Sequence, residues 1–152
     1  MNTLELKFEL QQQCEDLIRL RHDSINKTIS NIEYSLKEES KSTSGDKHQT
    51  GRAMLQIERE NAGNQLREIE KVMHQLAKVN ISLASETIRL GSIIETNQAN
   101  FFMSISVGKL ETNNLIYLGI APNSPIGMCL LGKTKGDQFN FSGKVYKVLL
   151  IT

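Results

Sequence analysis

The run from Leu4 to Glu39 contains neither proline nor glycine, and within it Ile18, His22, Ile25, Ile29, Ile32 and Leu36 recur at alternating steps of four and three. That spacing holds side chains on one stripe of an α-helix, the seam of a coiled coil. A second seam passes through Leu55, Arg59, Ala62, Leu66, Ile69, Met73, Leu76, Asn80 and Leu83. Its polar members, with His22 of the first seam, read as register-setting residues. Between the seams lies a polar, small-residue stretch from Ser40 to Thr50 in which neither seam continues. So short a connector makes the two helices antiparallel neighbours. Each arm of roughly 35 residues would be about 50 Å long at the helical rise. Two helices bury only one narrow stripe, so Leu4, Leu6, Phe8 and Leu10 at one end and Leu83 at the other are expected to lean on a second module.

Composition places that module. Phe8 and Tyr34 are the only aromatic residues before position 90, whereas Phe101, Phe102, Tyr117, Phe139, Phe141 and Tyr146 crowd the last third. After about Glu86 the period changes from helical to alternating. Strands are predicted at Ser92 to Thr96, Phe101 to Val107, Leu115 to Ile120, Gln138 to Phe141 and Val145 to Ile151. Ser142-Gly143 is a tight hairpin turn between the last two. One helix interrupts them: Ser124 caps it, Pro125 suits its first turn, and Gly132 ends it after Ile126 to Leu131. The expected organisation is therefore a helical hairpin over residues 1–86, with its tip at 40–50, and an α+β module over 87–152 with about five antiparallel strands and one short helix.

Several function classes are disfavoured. Net charge is +1, distributed as 12 basic against 14 acidic residues up to position 86 and 6 against 3 beyond it. Neither part carries the basic stripe of an independent nucleic-acid binder, so a protein partner is expected. Cys14 and Cys129 are the only cysteines, with no CxxC and no histidine at metal spacing, which argues against zinc. The start Met1-Asn2-Thr3-Leu4-Glu5 has no secretory pattern and no window approaches a membrane span, so a cytoplasmic location is expected. Gly127 to Thr134 satisfies the nucleotide-binding pattern Gly, four residues, Gly-Lys-Thr. There, however, the predicted helix lies between the glycines instead of following the lysine, where a phosphate cradle needs it.

The run Ser124-Pro125-Ile126-Gly127-Met128-Cys129-Leu130-Leu131-Gly132-Lys133-Thr134-Lys135-Gly136-Asp137, followed by Tyr146-Lys147-Val148, resembles the signature of the Gre transcript-cleavage factors. In that family a Ser-Pro precedes an aliphatic helix, then come Leu-Gly-Lys, Gly-Asp and a final tyrosine-containing strand. With the preceding hairpin the resemblance covers nearly the whole chain. It implies an FKBP-like C-terminal fold and a monomer docking on the rim of the RNA polymerase secondary channel through Ser124, Pro125, Gly132, Lys133, Gly136 and Asp137. It also implies a coiled coil whose tip reaches the polymerase active site and the 3′ end of the nascent RNA. The resemblance further implies that no cofactor is held stably and that a magnesium ion is shared with the polymerase.

In the family the tip carries Gly-Asp and, three residues after the Asp, a Glu. Here Gly45 and Asp46 match, but Gln49 stands at the Glu position. A weakly held, strongly hydrated magnesium needs anionic oxygens, and an amide supplies an oxygen without charge. Glu38 and Glu39, near the same tip, are candidates to compensate. Asp46 and Gln49 also satisfy a capping-box pattern that would serve only to start the second helix. Lys41, Lys47, His48 and Arg52 are candidate tip contacts to RNA or the channel wall, or an ordinary charged loop. Three functions follow: a factor stimulating the polymerase's own cleavage of backtracked RNA, not itself an enzyme; a non-cleaving regulator of initiation or pausing; and, from the implied fold alone, a prolyl isomerase or chaperone.

Overall fold

The computed structural model describes the backbone of residues 1–41 and 45–152, and the side chains of all of these outside 45–49. Helix α1 runs Thr3–Ser40 and helix α2 runs Gly45–Ala77. Asn2 and Glu5 cap the start of α1 reciprocally. Asn2 Oδ1 accepts from the Glu5 N–H at 2.8 Å, and Glu5 Oε2 accepts from the Asn2 N–H at 3.1 Å. The chain forms two compact units, one of Ile18–Met73 and one of Met1–Leu17 with His74–Thr152.

In the Ile18–Met73 unit both heptad seams meet. Ile25, Ile29, Ile32 and Ala62 are buried together, flanked by Leu36, Leu55, Leu66 and Ile69. The helices are antiparallel: His22 lies 3.9 Å from Glu70, Arg59 Nε donates to Glu33 Oε1 at 3.1 Å, and Arg52 bonds Ser40 Oγ. Each step up α1 is thus matched by a step down α2, and the polar seam members His22 and Arg59 mark that register through their contacts with Glu70 and Glu33.

The ends of the helices differ from expectation. The connector is shorter than 40–50, because α2 begins at Gly45 and its first turns carry Asp46 to Thr50. Heptad periodicity marks the buried face; it does not report how far backbone hydrogen bonding continues beyond the last seam residue. Residues 42–44 lie outside the described residues. At the other end α2 stops at Ala77, so Asn80 and Leu83 are not seam positions. Asn80 Oδ1 instead accepts from the Ser82 N–H at 3.0 Å and from its hydroxyl at 2.6 Å, a side-chain turn that competes with helix.

The other unit is built on a six-stranded sheet. Its strands are β1 (Ile93–Thr96), β2 (Asn100–Met103), β3 (Gly108–Thr112), β4 (Leu115–Ile120), β5 (Gln138–Phe141) and β6 (Lys144–Ile151), in spatial order β3-β4-β2-β1-β6-β5. Helix α3 spans Pro125–Leu130. Two expectations need correction: there are six strands, not five, and the sheet is mixed, because β2 and β4 pair parallel. The missed strand, β3, has one buried apolar residue, Leu110, so alternation alone does not announce it. Its turn does. Asn113 and Asn114 both adopt positive φ, 52° and 61°, the hairpin geometry that asparagine tolerates. Having entered at the far edge as β3, the chain returns antiparallel to it, and this places β4 parallel to β2. Ser142-Gly143 forms the expected turn, with φ of 50° and 78°.

One face of the sheet packs Ile94, Phe101, Met103, Ile120 and Val148 around Leu130 of α3 and Ile88. Phe102, Leu110 and Tyr117, on the alternate positions, are buried as well. The first turns of α1 belong to this unit, but through Lys7, Leu10 and Cys14, which are buried, whereas Leu4 and Phe8 are exposed, contrary to expectation. Positions 7, 10 and 14 are the stripe that a 3.6-residue period presents to one side. Gln13 covers the outer edge of the sheet: its Nε2 donates to the Glu111 carbonyl at 2.8 Å and its Oε1 accepts the Glu111 N–H at 3.2 Å. A primary amide thus mimics a strand and satisfies an edge that would otherwise be open to pairing. Among the described residues no helix is long and apolar enough to cross a membrane.

Candidate functional site

Two regions carry the candidate residues. The first is the end of the hairpin. Arg52, expected as a tip contact, is turned onto α1, where its Nη1 donates to the Leu36 carbonyl oxygen at 3.0 Å and it also bonds Ser40 Oγ. Ser40 Oγ reaches the same carbonyl at 2.9 Å. A guanidinium suits this place, since the last turn of a helix concentrates partial negative charge. The two candidate acids diverge. Glu38 pairs with Lys41 at 3.3 Å along the exposed surface of α1 itself. The Glu39 carboxylate instead faces α2, where a Cβ placed on Gly51 would stand 3.7 Å from its Oε1. The candidates Asp46, Lys47, His48 and Gln49 lie, as side chains, outside the described residues. Among the described residues no group of three or more His, Cys, Asp or Glu is placed to hold a metal ion.

The second region is the run from Ser124 to Asp137, in which most of the singled-out residues shape the backbone. Ser124 caps α3: its Oγ donates to the Ala121 carbonyl at 2.7 Å and accepts the Gly127 N–H at 3.1 Å. Pro125 fills the first helical position. Gly127 is required by space, because a Cβ there would meet the Ala121 oxygen at 2.0 Å. Gly132 ends the helix at φ 83° and donates its N–H to the Ile88 carbonyl at 2.9 Å. Lys133 places its ammonium 5.5 Å from the centre of the Phe139 ring. Asp137 Oδ2 accepts the Thr134 N–H at 2.8 Å, closing a turn in which Gly136 has φ 92°. The helix precedes Gly132-Lys133-Thr134, so no helix N-terminus faces a phosphate there.

Sequence reasoning missed what this framework leaves outside. Met128 and Leu131, three residues apart at α3, are 63% and 46% exposed. Lys133 and Lys135 follow them in the sequence, and a contact surface can use such exposed apolar side chains. The periodicity of a six-residue helix is too short to reveal them. Cys129 is half-buried, and the other cysteine, Cys14, is fully buried; burial pushes the Cys14 thiol up to about 12 and leaves it unreactive. The clustered aromatics pack the sheet, as expected: Phe139 stacks on Tyr146 at 5.1 Å, and Phe101 and Phe141 contact the same ring. No family model, curated protein or solved structure matches this chain.

Proposed function

We propose that this chain is an RNA polymerase accessory factor of the Gre type. Its sheet unit, as an FKBP-like domain, docks at the rim of the secondary channel, and the hairpin tip acts at the polymerase's catalytic centre on backtracked RNA. The observation that carries this reading is the ordered signature Ser124-Pro125, Leu131-Gly132-Lys133 and Gly136-Asp137. Its polar members build consecutive turns while Met128 and Leu131 remain outward. An antiparallel hairpin from helices of 38 and 33 residues supports the second half of the reading.

In this reading the protein stimulates cleavage and is not itself an enzyme; it works as a cytoplasmic monomer. Asp46 contributes a carboxylate to a magnesium ion shared with the polymerase and held only in the complex, where the ion would activate water and stabilise charge on the phosphodiester. Of the two further acids, Glu39 is the better placed, because it faces α2. Adding the protein to purified bacterial RNA polymerase stalled in a backtracked complex is expected to speed release of short 3′-terminal RNA fragments. Asp46→Ala should remove that gain; an unchanged rate would take Asp46 out of the mechanism.

A second reading keeps the docking and drops the cleavage, and Gln49 favours it: a neutral amide at that place weakens retention of the ion. The protein would then occupy the channel as a regulator of initiation or pausing. Binding without cleavage, converted to cleavage by Gln49→Glu, identifies this case. The prolyl isomerase or chaperone reading is weaker, because Phe101, Phe139, Phe141 and Tyr146 contact one another and are not left free to line a substrate pocket.

A further inference from the structure

Beside the first turns of α1 lies an open groove of about 570 Å³, lined by Leu4, Lys7, Ile81, Leu83, Glu86 and Ile151 among others. That volume falls within the range of small-molecule sites, as does a mainly apolar wall with a few polar groups. Lys7 is 3% exposed, yet its ammonium makes one long hydrogen bond, to the Leu83 carbonyl at 3.4 Å. No carboxylate among the described residues pairs with it. Burial, together with repulsion from the like-charged guanidinium of Arg89, holds the Lys7 pKa below the usual lysine value. Among the described residues that carbonyl is its one partner, and a buried cation so placed is costly, because folding has removed its water without supplying an anion. Around it Leu4 and Leu83 stay largely exposed, so the apolar wall is also unused.

We propose that this groove binds a monoanionic amphiphile, a carboxylate with an unbranched hydrocarbon body, its head paired with Lys7 and its body lying along Leu4, Ile81, Leu83 and Ile151. Charge balance selects the head. One buried ammonium, with Arg89 near and Glu86 in the lining, accommodates a single negative charge; a phosphate dianion would leave the second charge facing Glu86. The hydroxyls of Thr3 and Ser85, also in the lining, can serve the second carboxylate oxygen. None of the residues lining this groove is among the proposed polymerase contacts, and the inference does not depend on them.

The test titrates decanoate, below its micellar range, into the full chain and follows backbone amide shifts. Saturable shifts are expected at Leu4, Lys7, Leu83 to Glu86 and Ile151. Lys7→Met should weaken decanoate roughly ten- to a hundredfold, the worth of one charge-assisted hydrogen bond. Leu83→Glu, which places an acid in the apolar wall, should weaken it comparably. On the unaltered chain, decanol should bind at least about tenfold more weakly than decanoate, which tests the head group without relying on any variant. Absence of saturable shifts, shifts confined to other residues, or equal binding of decanol and decanoate would each overturn the proposal.

Discussion

The two units stabilise themselves by different means. The sheet unit buries Phe102, Met103, Ile94 and Leu130 completely, so its core is enclosed on several sides. The hairpin unit buries a single stripe; Ile25, Ile29 and Ile32 keep a little exposure, and the cross-helix His22–Glu70 contact and Arg59–Glu33 ion pair flank them. Area bookkeeping follows this contrast, because a side chain closed in on all sides gives up more solvent contact than one in a two-helix seam. The difference teaches where each kind of residue can change. In the sheet unit Ser124, Pro125, Gly127, Gly132 and Asp137 are committed to a cap or a turn, while at the hairpin end Glu38 pairs along the exposed surface of α1 and can vary at little expense in fold.

The sharpest way to break this comparison is to empty each core. Phe102→Ala should destabilise the sheet unit by about 3–5 kcal/mol, whereas Ile29→Ala, at a seam that can partly close, should cost about 2 kcal/mol. Denaturant unfolding followed separately in the two units measures both, and a larger loss at Ile29 would reverse the assignment of the more enclosed core.

A smaller effect concerns Lys7, the one buried charged residue among the described residues. With the ligand absent, Lys7→Met should raise stability by about 1–2 kcal/mol at neutral pH. The sign follows from the lowered Lys7 pKa, which makes the unfolded chain bind more protons than the folded one between that value and 10.5. The unaltered chain should therefore gain stability as pH rises through this window, and the advantage of Lys7→Met should shrink toward zero. A pH-independent advantage in thermal melts would mean that Lys7 is already compensated. Arg89 and Glu86, near the same groove, bear on the size of the effect and not on its direction.

The smallest expected change lies at the hairpin end. Gly51 sits inside α2, and a Cβ added there meets the Glu39 carboxylate at ordinary contact distance. Gly51→Ala should stabilise the hairpin by roughly 0.5–1 kcal/mol, by limiting the freedom of the unfolded chain. Loss of stability instead would show that Glu39 approaches α2 more closely than the geometry indicates, and would raise its standing as the second tip carboxylate.

How much was legible beforehand depended on the range of the cause. Ile25, Ile29, Ile32, Leu66 and Ile69 announce a hairpin because helical periodicity is a local property written in consecutive turns. Ser124, Pro125, Gly132 and Ser142-Gly143 announce a cap, a helix end and a turn because each acts on its immediate neighbours. Arg52 was less legible: in the sequence it is a charge near a loop, and only the return of the chain puts it on the Leu36 carbonyl. The same holds for β3, whose single buried Leu110 becomes recognisable as a strand beside Tyr117.

By itself, then, the sequence determined the two helices, their antiparallel pairing, most of the strands, the cap and glycine end of α3 and the Ser142-Gly143 turn, since all rest on periodicity or on backbone preferences of adjacent residues. Tertiary structure alone decided the mixed strand order, the closure of the β3 edge by Gln13 across 98 residues of chain, and the burial of Lys7 beneath Leu83. Those features depend on which surfaces meet after the chain has turned back, and no local pattern encodes the identity of a distant partner.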